Sequence, residues 1–437
     1  MAAAKPWSVQ SLELRNFRCF EHLHLDLDDD LTVLIGDNGA GKTAVLNGLA
    51  VMLSTIVREL DGAGRGFNVE DARVVPHDLD SQLSVARMEE RYPVVGTLRA
   101  RMDGDTIEWS RSRLRRRGRT SYARNEAADF AADLRARASD SRAAEPVLPI
   151  IAAYGVERLM RDRKSSGAIG PSRFAAYAAA LDSQSDMRRL SVFLQELTWT
   201  VNGAAALGDP SPEAARRQIQ AIESACTRAL ASTGWGRPRW TQAGVTLAHE
   251  DHGTLPLGHL SAGIRIAAGL VIDLASRAAR ANPSLGADEL CARVPGVVLI
   301  DEVDLHLHPT WQQHIIQDLQ LAFPSVQFVV TTHSPQVLSS VPARHIRIVD
   351  GSNVSLVEHA RGLRSDIVLE TVMDTPPQLP TEGRQRLDRY MAAVYRGEGG
   401  TDEARGLRAE IEAEMGGIRT LPELADADAF LLITADE

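Results

Sequence analysis

The sequence has 437 residues, of which 44% are hydrophobic and 24% are charged, close to the averages for globular proteins. This composition excludes a largely disordered chain and a fibrous repeat, and the length allows two or three domains. Lys and Arg number 48 and Asp and Glu 58, giving a net charge of −10. That charge argues against a protein that coats nucleic acid through its overall charge, but it allows a local basic patch.

The cysteines and the apolar segments indicate the cellular compartment. Cys19, Cys226 and Cys291 lie far apart and form no C-x-x-C pair, so we expect neither a disulfide framework nor a Cys-rich zinc site. No run of ~18 uninterrupted apolar residues and no signal-peptide core is apparent. We therefore expect a soluble, cytoplasmic protein without a membrane partner.

In chain order, the first segment alternates apolar and polar residues as strands do and ends in the apolar run Leu31–Ile35, typical of a strand buried on both faces. Apolar residues at helical spacing follow between Val45 and Leu60. Residues 94–101 and 106–110 are predicted to form a hairpin around an Asp-Gly turn.

Further along, helices are predicted near residues 173–232, 262–280 and 310–322. Buried strands are predicted at Val147–Ala153, Val297–Ile300, Val326–Val330 and Ile346–Val349. This alternation predicts an α/β fold with a parallel sheet. The tail beyond residue 366 is predicted to form a helical hairpin around the glycine-rich turn 397–400.

A glycine-rich loop joins the first buried strand to the first long helix and fits the pattern G-x-x-x-x-G-K-[ST]. Its glycines let the backbone N–H groups face phosphate oxygens, and the helix start favours the same anion. Lys42 is expected to reach the β- and γ-phosphates, and Thr43 to offer a hydroxyl to Mg²⁺. The nucleotide-binding residues predicted here are Gly36, Asp37, Asn38, Gly39, Ala40, Gly41, Lys42, Thr43 and Ala44.

Polar residues follow two later buried strands and precede one helix. Asp301 and Glu302 end the strand 297–300, where Asp301 can hold Mg²⁺ and Glu302 can polarise an attacking water. His333 follows the strand 326–330 and can hydrogen-bond a γ-phosphate or that water. Leu260-Ser261-Ala262-Gly263 precedes a long helix, with Ser261 as a natural N-cap.

The order of these four motifs resembles the ATP-binding-cassette ATPases. The segments Leu14–Arg18 and Asp301–Pro309 look like the SMC/RecF-like branch, the AAA family ATPases related to RecF, RecN and the OLD proteins. The segment Ala153–Leu159 and the short helical tail resemble the compact PtuA-type ATPases of Septu and retron anti-phage systems. The fold class implied is a P-loop NTPase with an ABC/RecF-like head, a helical lobe between the phosphate loop and the signature motif, and a short helical tail.

The resemblance implies roles for further residues. ATP and Mg²⁺ are the expected cofactors, and in this family the nucleotide is sandwiched between two protomers. Ser261 and Gly263 would bind the γ-phosphate of a nucleotide held by a second copy, and Asp304 lies in the loop that crosses this interface. His333 corresponds to the switch histidine, and Arg18 is a candidate close to the nucleotide.

Two features depart from the family pattern or leave alternatives open. The signature reads LSAGI rather than LSGGQ, and either Gln82 or the segment Asp71–Arg73 fits the position of the glutamine loop. The spacing of 218 residues between Thr43 and Ser261 is far longer than a transporter cassette needs and far too short for SMC coiled coils. The predicted segments are 1–125 and 251–365 for the ATPase lobe, 126–250 for the inserted helical lobe and 366–437 for the tail.

The basic run Arg111–Arg119 has two interpretations, contact with a DNA backbone or a solvated loop. His306 and His308 lie in a segment whose sequence also occurs in the resembling family without binding a metal ion. We therefore do not interpret them as metal ligands.

Three functional hypotheses remain. The first is a regulatory ATPase of an anti-phage defence complex with a separate effector, an HNH nuclease or retron component. The second is a RecF-like repair ATPase that clamps double-stranded DNA, and the third is an ATP-gated assembly scaffold with little turnover. The residues after Asp350 are too few for the TOPRIM nuclease domain of OLD proteins, so we expect any nuclease on another chain.

Overall fold

The fold was analysed in a computed structural model of the chain. The structure describes residues 5–61, 63–77, 87–121, 125–140, 142, 144–157, 172–182, 187–207, 212–376 and 381–435. The chain forms two compact units, Met1–Val368 and Leu369–Glu437. The finer division of the first unit into lobes stays a prediction.

The strands of the described residues fall into four sheets. They are β1 (Trp7–Phe17), β2 (Phe20–Asp26), β3 (Leu31–Ile35), β4 (Arg73–His77), β5 (Arg87–Arg91), β6 (Val94–Met102), β7 (Asp105–Arg113), β8 (Ile150–Tyr154), β9 (Trp235–Thr241), β10 (Gly244–His249), β11 (Gly253–Pro256), β12 (Gly296–Ile300), β13 (Val326–Thr331), β14 (Ile346–Asp350) and β15 (Asn353–Leu356).

The α-helices range from one turn to more than five turns. They are α1 (Lys42–Asp61), α2 (Glu126–Ser139), α3 (Met187–Leu207), α4 (Glu213–Ala229), α5 (Ala262–Ala281), α6 (Ala287–Arg293), α7 (Pro309–Gln312), α8 (Ile315–Ala322), α9 (Pro335–Ser340), α10 (Ser365–Thr371), α11 (Glu382–Tyr395), α12 (Asp402–Met415) and α13 (Pro422–Ala435). Short 3₁₀ helices cover Val69–Asp71, Arg173–Tyr177, Ala231–Thr233, Leu257–His259 and Ala343–His345.

The central sheet has the strand order β15-β14-β3-β13-β12-β8. Its strands β14, β3, β13, β12 and β8 run parallel, and β15 adds an antiparallel edge. Every residue of β3, β12 and β13 is buried, as their mainly apolar sequences predict. Because parallel strands end at one edge of a sheet, the segments after β3, β12 and β13 come together there.

Helix α1 lies between the central sheet and an antiparallel sheet of order β2-β1-β6-β7. It contacts β1 and β6 on one side and β8, β12 and β13 on the other. By length and composition it is also the one described helix that could cross a membrane, but 78% of its most apolar window is buried inside the protein. It is therefore packed as the core helix of this unit.

The segment between residues 126 and 250, predicted as an inserted helical lobe, has a mixed structure. Helices α3 and α4 pack with α5, but strand β8 belongs to the central sheet. Strands β9, β10 and β11 form a separate antiparallel sheet next to α3 and α4.

The second unit contains the predicted helical hairpin, formed by α11 and α12. A third helix, α13, packs against α11 and completes a small core. The fully buried members of this core are Leu387, Val394, Ile411, Leu424 and Ala427.

Candidate nucleotide-binding site

The loop Gly36–Gly41 connects β3 to α1, and its backbone requires glycine. Gly36, Gly39 and Gly41 have φ angles of 141°, 88° and 108°, a region that side chains disfavour. A Cβ atom at Gly36 would lie 2.1 Å from the carbonyl oxygen of Val349, and one at Gly41 would lie 2.4 Å from the Phe20 ring. Asp37, Asn38 and Gly39 are exposed at the top of the loop, and Ala40 donates its N–H to Asp37 O. The loop therefore wraps closely, as a phosphate-binding loop must.

Lys42 lies beneath this loop, at the start of α1, and the next residues Thr43 and Ala44 are exposed and buried respectively. The Lys42 ammonium donates to the carbonyl oxygens of Gly36 and Asp37 at 2.7 and 2.9 Å. Burial lowers the pKa of Lys42, opposed by the nearby carboxylates of Asp301, Asp37 and Glu302. The two carbonyl oxygens carry only partial negative charge. A phosphate bound to this loop would give the Lys42 ammonium a fully charged partner.

Thr43 and Asp301 meet at the carboxyl edge of the sheet. Thr43 Oγ1 donates to Asp301 Oδ2 at 2.8 Å, and Thr331 Oγ1, at the end of β13, donates to Asp301 Oδ1 at 2.6 Å. Asp301 and Thr331 are buried. The predicted Mg²⁺ ligands Thr43 and Asp301 are thus in contact.

This pair fits the requirements of Mg²⁺ in nucleotide sites. Hydroxyl and carboxylate oxygens are hard ligands, and Mg²⁺ in such sites takes one or two protein ligands together with phosphates and water. Among the described residues, no group of three or more His, Cys, Asp and Glu side chains is arranged to hold a metal ion. His308 instead caps α7, because its Nδ1 accepts the N–H of Thr310 at 3.3 Å.

Glu302 follows Asp301 in a left-handed backbone conformation, with φ at 49°. A non-glycine residue in this region stores strain of about 1–3 kcal/mol, which is common at functional sites. The Glu302 N–H donates to Thr331 Oγ1 at 2.7 Å, and the Val303 N–H donates to Thr331 O at 3.0 Å. Thr331 therefore positions both acidic residues, a role that the sequence reading missed.

His333 is exposed in the segment between β13 and α9. On either side of it, the Thr332 hydroxyl donates to Asp304 Oδ1 at 2.5 Å and the Ser334 hydroxyl donates to Gln312 Oε1 at 2.7 Å. Gln312 also donates to Leu307 O at 2.9 Å. The His333 segment is thereby tied to the loop that carries Asp304.

Ser261 and Gly263 lie at the start of α5. Ser261 is exposed and caps the helix, accepting the Ile264 N–H at 3.4 Å. Gly263 is buried against the loop after β12, where an added Cβ atom would lie 2.4 Å from His306 O. Within one chain, the signature segment is therefore packed on the loop that follows Glu302.

Arg18 lies in the β1–β2 turn, next to Cys19, whose sulfur is close to Gly41. The Arg18 guanidinium, however, is bound by the Asp71 carboxylate, with nitrogen–oxygen distances of 2.9 Å. The main-chain N–H of Arg18 also donates to the main-chain oxygen of Asp71. Asp71, one candidate for the glutamine-loop position, is thus committed to this ion pair. The other candidate, Gln82, and the motif residues Arg158 and Leu159 lie outside the described residues.

Comparisons with known proteins identify the class. Residues 31–339 match the family "AAA domain, putative AbiEii toxin, Type IV TA system", and since this is more than half of the chain, the chain belongs to that family. The predicted AAA family is thereby confirmed, and the parallel central sheet with the glycine-rich loop between β3 and α1 agrees with the predicted α/β P-loop fold.

The chain is similar to three named relatives. It is 25% identical over 475 residues to the Retron Ec83 probable ATPase of Escherichia coli, covering 93% of this chain and 84% of the relative. It is 44% identical over 64 residues to the Septu protein PtuA of Bacillus mycoides (strain KBAB4), covering 15% of this chain and 8% of that protein. It is 51% identical over 47 residues to the DNA replication and repair protein RecF of Thermomicrobium roseum, covering 11% of this chain and 12% of that protein.

Replacing Lys42 with Ala should lower ATP affinity by about 100-fold or more, because it removes the cation beneath the phosphate loop. Isothermal titration calorimetry measures this directly. Lys5→Ala is the matched control, since the Lys5 ammonium also donates to a carbonyl, that of Val326 at 2.6 Å. Equal ATP affinity of Lys42→Ala and wild type would contradict the loop assignment.

Replacing Thr331 with Val should shift the Mg²⁺ dependence of nucleotide turnover to higher concentration and lower the rate by about 10- to 100-fold, as for other residues that orient metal ligands. The control is Thr32→Val in β3, a buried hydroxyl that accepts the Asp28 N–H at 3.0 Å. Both substitutions remove a buried hydroxyl and should lower stability alike, but only Thr331→Val removes a hydrogen bond to Asp301. Titrating Mg²⁺ with both variants therefore separates the loss of Asp301 orientation from the loss of stability.

Proposed function

We propose that this chain binds ATP with Mg²⁺ and hydrolyses it to ADP and phosphate. The observation that carries the proposal is the contact of Thr43 with Asp301 beside the phosphate loop, with Glu302 next in the chain. Family membership and the similarity to a retron probable ATPase agree with it. Phosphoryl transfer needs positioning and charge neutralisation, and this site offers both.

Each residue has a distinct task in this proposal. The loop Gly36–Gly41 and Lys42 bind the β- and γ-phosphates, while Thr43 and Asp301 hold Mg²⁺, which neutralises charge on the phosphates. Glu302 orients the attacking water and accepts its proton. His333, exposed at the same sheet edge, hydrogen-bonds the γ-phosphate.

The proposal includes closure of two copies around ATP. Ser261 is exposed at a capped helix start, where free N–H groups and the helix dipole favour an anion. Gly263 is buried next to Ser261 and packs on residues 306–307 of the loop that carries Asp304. In this arrangement Ser261 and Gly263 of one copy complete the ATP site of the second copy.

We further propose that the protein is the cytoplasmic regulatory ATPase of an anti-phage defence complex with a separate effector, an HNH nuclease or retron component. The similarity to the Retron Ec83 probable ATPase over 93% of the chain supports this assignment. A RecF-like repair ATPase is the alternative, supported by a shorter similarity over 47 residues. An ATP-gated scaffold with little turnover is the third candidate.

Glu302→Gln should retain ATP binding and lower kcat by about 10²- to 10⁴-fold, because it removes the base but leaves the phosphate contacts. With ATP and Mg²⁺, light scattering should report a stable species of twice 47.5 kDa. Glu108→Gln, an exposed position of β7, is the control and should behave as wild type.

A Glu302→Gln protein that stays monomeric in saturating ATP would contradict closure around the nucleotide. If that protein does dimerise, adding Ser261→Arg should prevent dimerisation, since the longer cation would occupy the position of the second copy's γ-phosphate.

A specific observation favours double-stranded DNA as an additional partner. The basic run divides into two parts in the structure. Arg111 is buried and donates to Val51 O and Ser54 Oγ, and Arg113 donates to Phe67 O. The following residues Arg115, Arg116 and Arg117 are exposed in the loop after β7. The DNA-contact interpretation therefore applies to this loop and not to Arg111.

Replacing Arg115, Arg116 and Arg117 with Ala should reduce the slope of log K for DNA binding against log salt concentration by roughly 1 per lost phosphate contact. Fluorescence anisotropy with a labelled duplex at several salt concentrations measures the slope. The control triple Arg361→Ala, Arg364→Ala and Arg396→Ala removes the same charge from other exposed positions. If the two triple variants showed equal salt slopes for DNA binding, the DNA-contact interpretation would be wrong and the loop would be a solvated segment.

A further inference from the structure

A cluster of three polar side chains, two of them buried and the third half-buried, connects the central sheet to α5. The Tyr154 hydroxyl, at the end of β8, donates to Asp273 Oδ2 at 2.8 Å. The Arg277 Nε–H donates to the same oxygen at 2.8 Å, and Arg277 Nη1 donates to the carbonyl oxygens of Ala176 and Ala178 at 2.7 and 3.2 Å. We call Tyr154, Asp273 and Arg277 the α5 clamp.

The surroundings of Tyr154 and Arg277 determine the protonation states of these two side chains. Burial and the Asp273 carboxylate raise the pKa of Tyr154 well above its usual value. The phenol therefore stays protonated and donates a hydrogen bond. Burial alone would lower the pKa of Arg277, but the neighbouring Asp273 and Tyr154 raise it, so the guanidinium stays charged. Tyr154 is therefore a neutral hydrogen-bond donor and Arg277 a cation, and both donate to the same oxygen of Asp273.

Stability alone does not account for such a cluster. Removing two charges from water offsets most of their mutual attraction, and apolar side chains of similar volume often give equal or greater stability. What the clamp provides, and apolar packing does not, is a directional connection between particular atoms of α5 and β8.

Strand β8 carries a direct contact to the candidate metal ligand. Tyr154 pairs with Ile300 in the β8–β12 register, and the Tyr154 carbonyl accepts the N–H of Asp301 at 2.8 Å. Tyr154 thus holds Asp301 with its main chain and Asp273 with its side chain. No other element intervenes between the two contacts.

Helix α5 carries the signature segment at its N-terminus. Ser261 lies about three helical turns, or about 18 Å, from Asp273 along the axis. Close to that end, Gly263 packs on His306 O in the loop that begins at Asp301. The helix is consequently held to the Asp301 segment at two separated points, which fixes its direction as well as its position.

We propose that Tyr154 is a positioning residue that fixes the exposed end of α5 relative to Asp301. Ser261 is then correctly placed only when the Asp301 side of the site is intact. This inference rests on the proposed closure of two copies around ATP. It assigns a function to the clamp: it leaves ATP binding by the phosphate loop unaffected and controls the presentation of Ser261 to the second copy.

The test compares Tyr154→Phe with Tyr177→Phe. Both phenols are buried and donate one hydrogen bond, that of Tyr177 to Pro149 O at 2.8 Å, just before the start of β8. The control therefore loses an equivalent bond without touching Asp273 or Asp301. Each substitution is made in wild type and in the Glu302→Gln protein, and thermal unfolding is recorded for all of them.

We expect both Phe variants to unfold at similar temperatures and to bind ATP within about twofold of their parents. Tyr154→Phe should lower kcat by about tenfold or more and, in the Glu302→Gln protein, raise by a similar factor the ATP concentration needed for half-maximal dimerisation. Tyr177→Phe should change neither quantity. The double variant Asp273→Leu with Arg277→Leu, which removes both charges together, provides a second test and is expected to reproduce the Tyr154→Phe result if Tyr154→Phe is too unstable to measure.

Identical kcat and dimerisation for the Tyr154→Phe and Tyr177→Phe proteins would overturn the inference and leave the proposed function in place. A loss of ATP affinity in Tyr154→Phe equal to the loss in kcat would also overturn it, since the clamp would then act on the phosphate loop. A parent Glu302→Gln protein that binds ATP without dimerising would instead overturn the proposed closure, and the inference with it. These three outcomes are distinguishable in one set of measurements.

Discussion

The hydrogen bond from Thr43 to Asp301 joins residues 258 positions apart in the sequence, and it depends on the order of three strands. Strand β13 lies between β3 and β12, and all three run parallel. The ends of β3 and β12 are therefore two strand spacings apart, about 10 Å. The Thr331 side chain, at the end of β13, bridges this gap by bonding Asp301. A register slip of one residue would turn Thr331 to the other face and remove the bridge.

Sequence reasoning found the parts of this site whose geometry is encoded locally. The phosphate loop depends on backbone conformations that favour glycine, and β3, β12 and β13 are encoded by short, mainly apolar runs. Two other local features depend on only a few adjacent residues. One is the Ser261 cap of α5, and the other is the turn at Asp103 and Gly104, where both residues have positive φ. Once the strands are known to be parallel, their shared carboxyl edge brings the motifs together.

Features that depend on a distant partner could not be predicted. Arg111 and Arg116 look alike in a basic run, but the first is buried against α1 and the second is exposed. Arg18 was expected near the nucleotide, but its guanidinium is bound by Asp71, 53 positions away. Strands β9 and β10 lie in the segment predicted to be a helical lobe, since these short strands carry weak alternation and gain their definition from packing on α3 and α4. Thr331 and Tyr154 belong to the same category, because nothing in their local sequence indicates what their hydroxyl groups bind.

Asp301 illustrates how these local and distant features combine. One carboxylate oxygen accepts from Thr43 after β3, the other accepts from Thr331 of β13, and its N–H donates to Tyr154 of β8. Three elements on three sides thus determine where one buried carboxylate lies. A shift in any of them moves the group proposed to hold Mg²⁺. Because Tyr154 also holds α5, the same constraint extends to the helix that starts at Ser261. The exposed helix end and the Asp301 carboxylate therefore belong to one closely packed unit, and such interiors transmit displacement rather than absorb it.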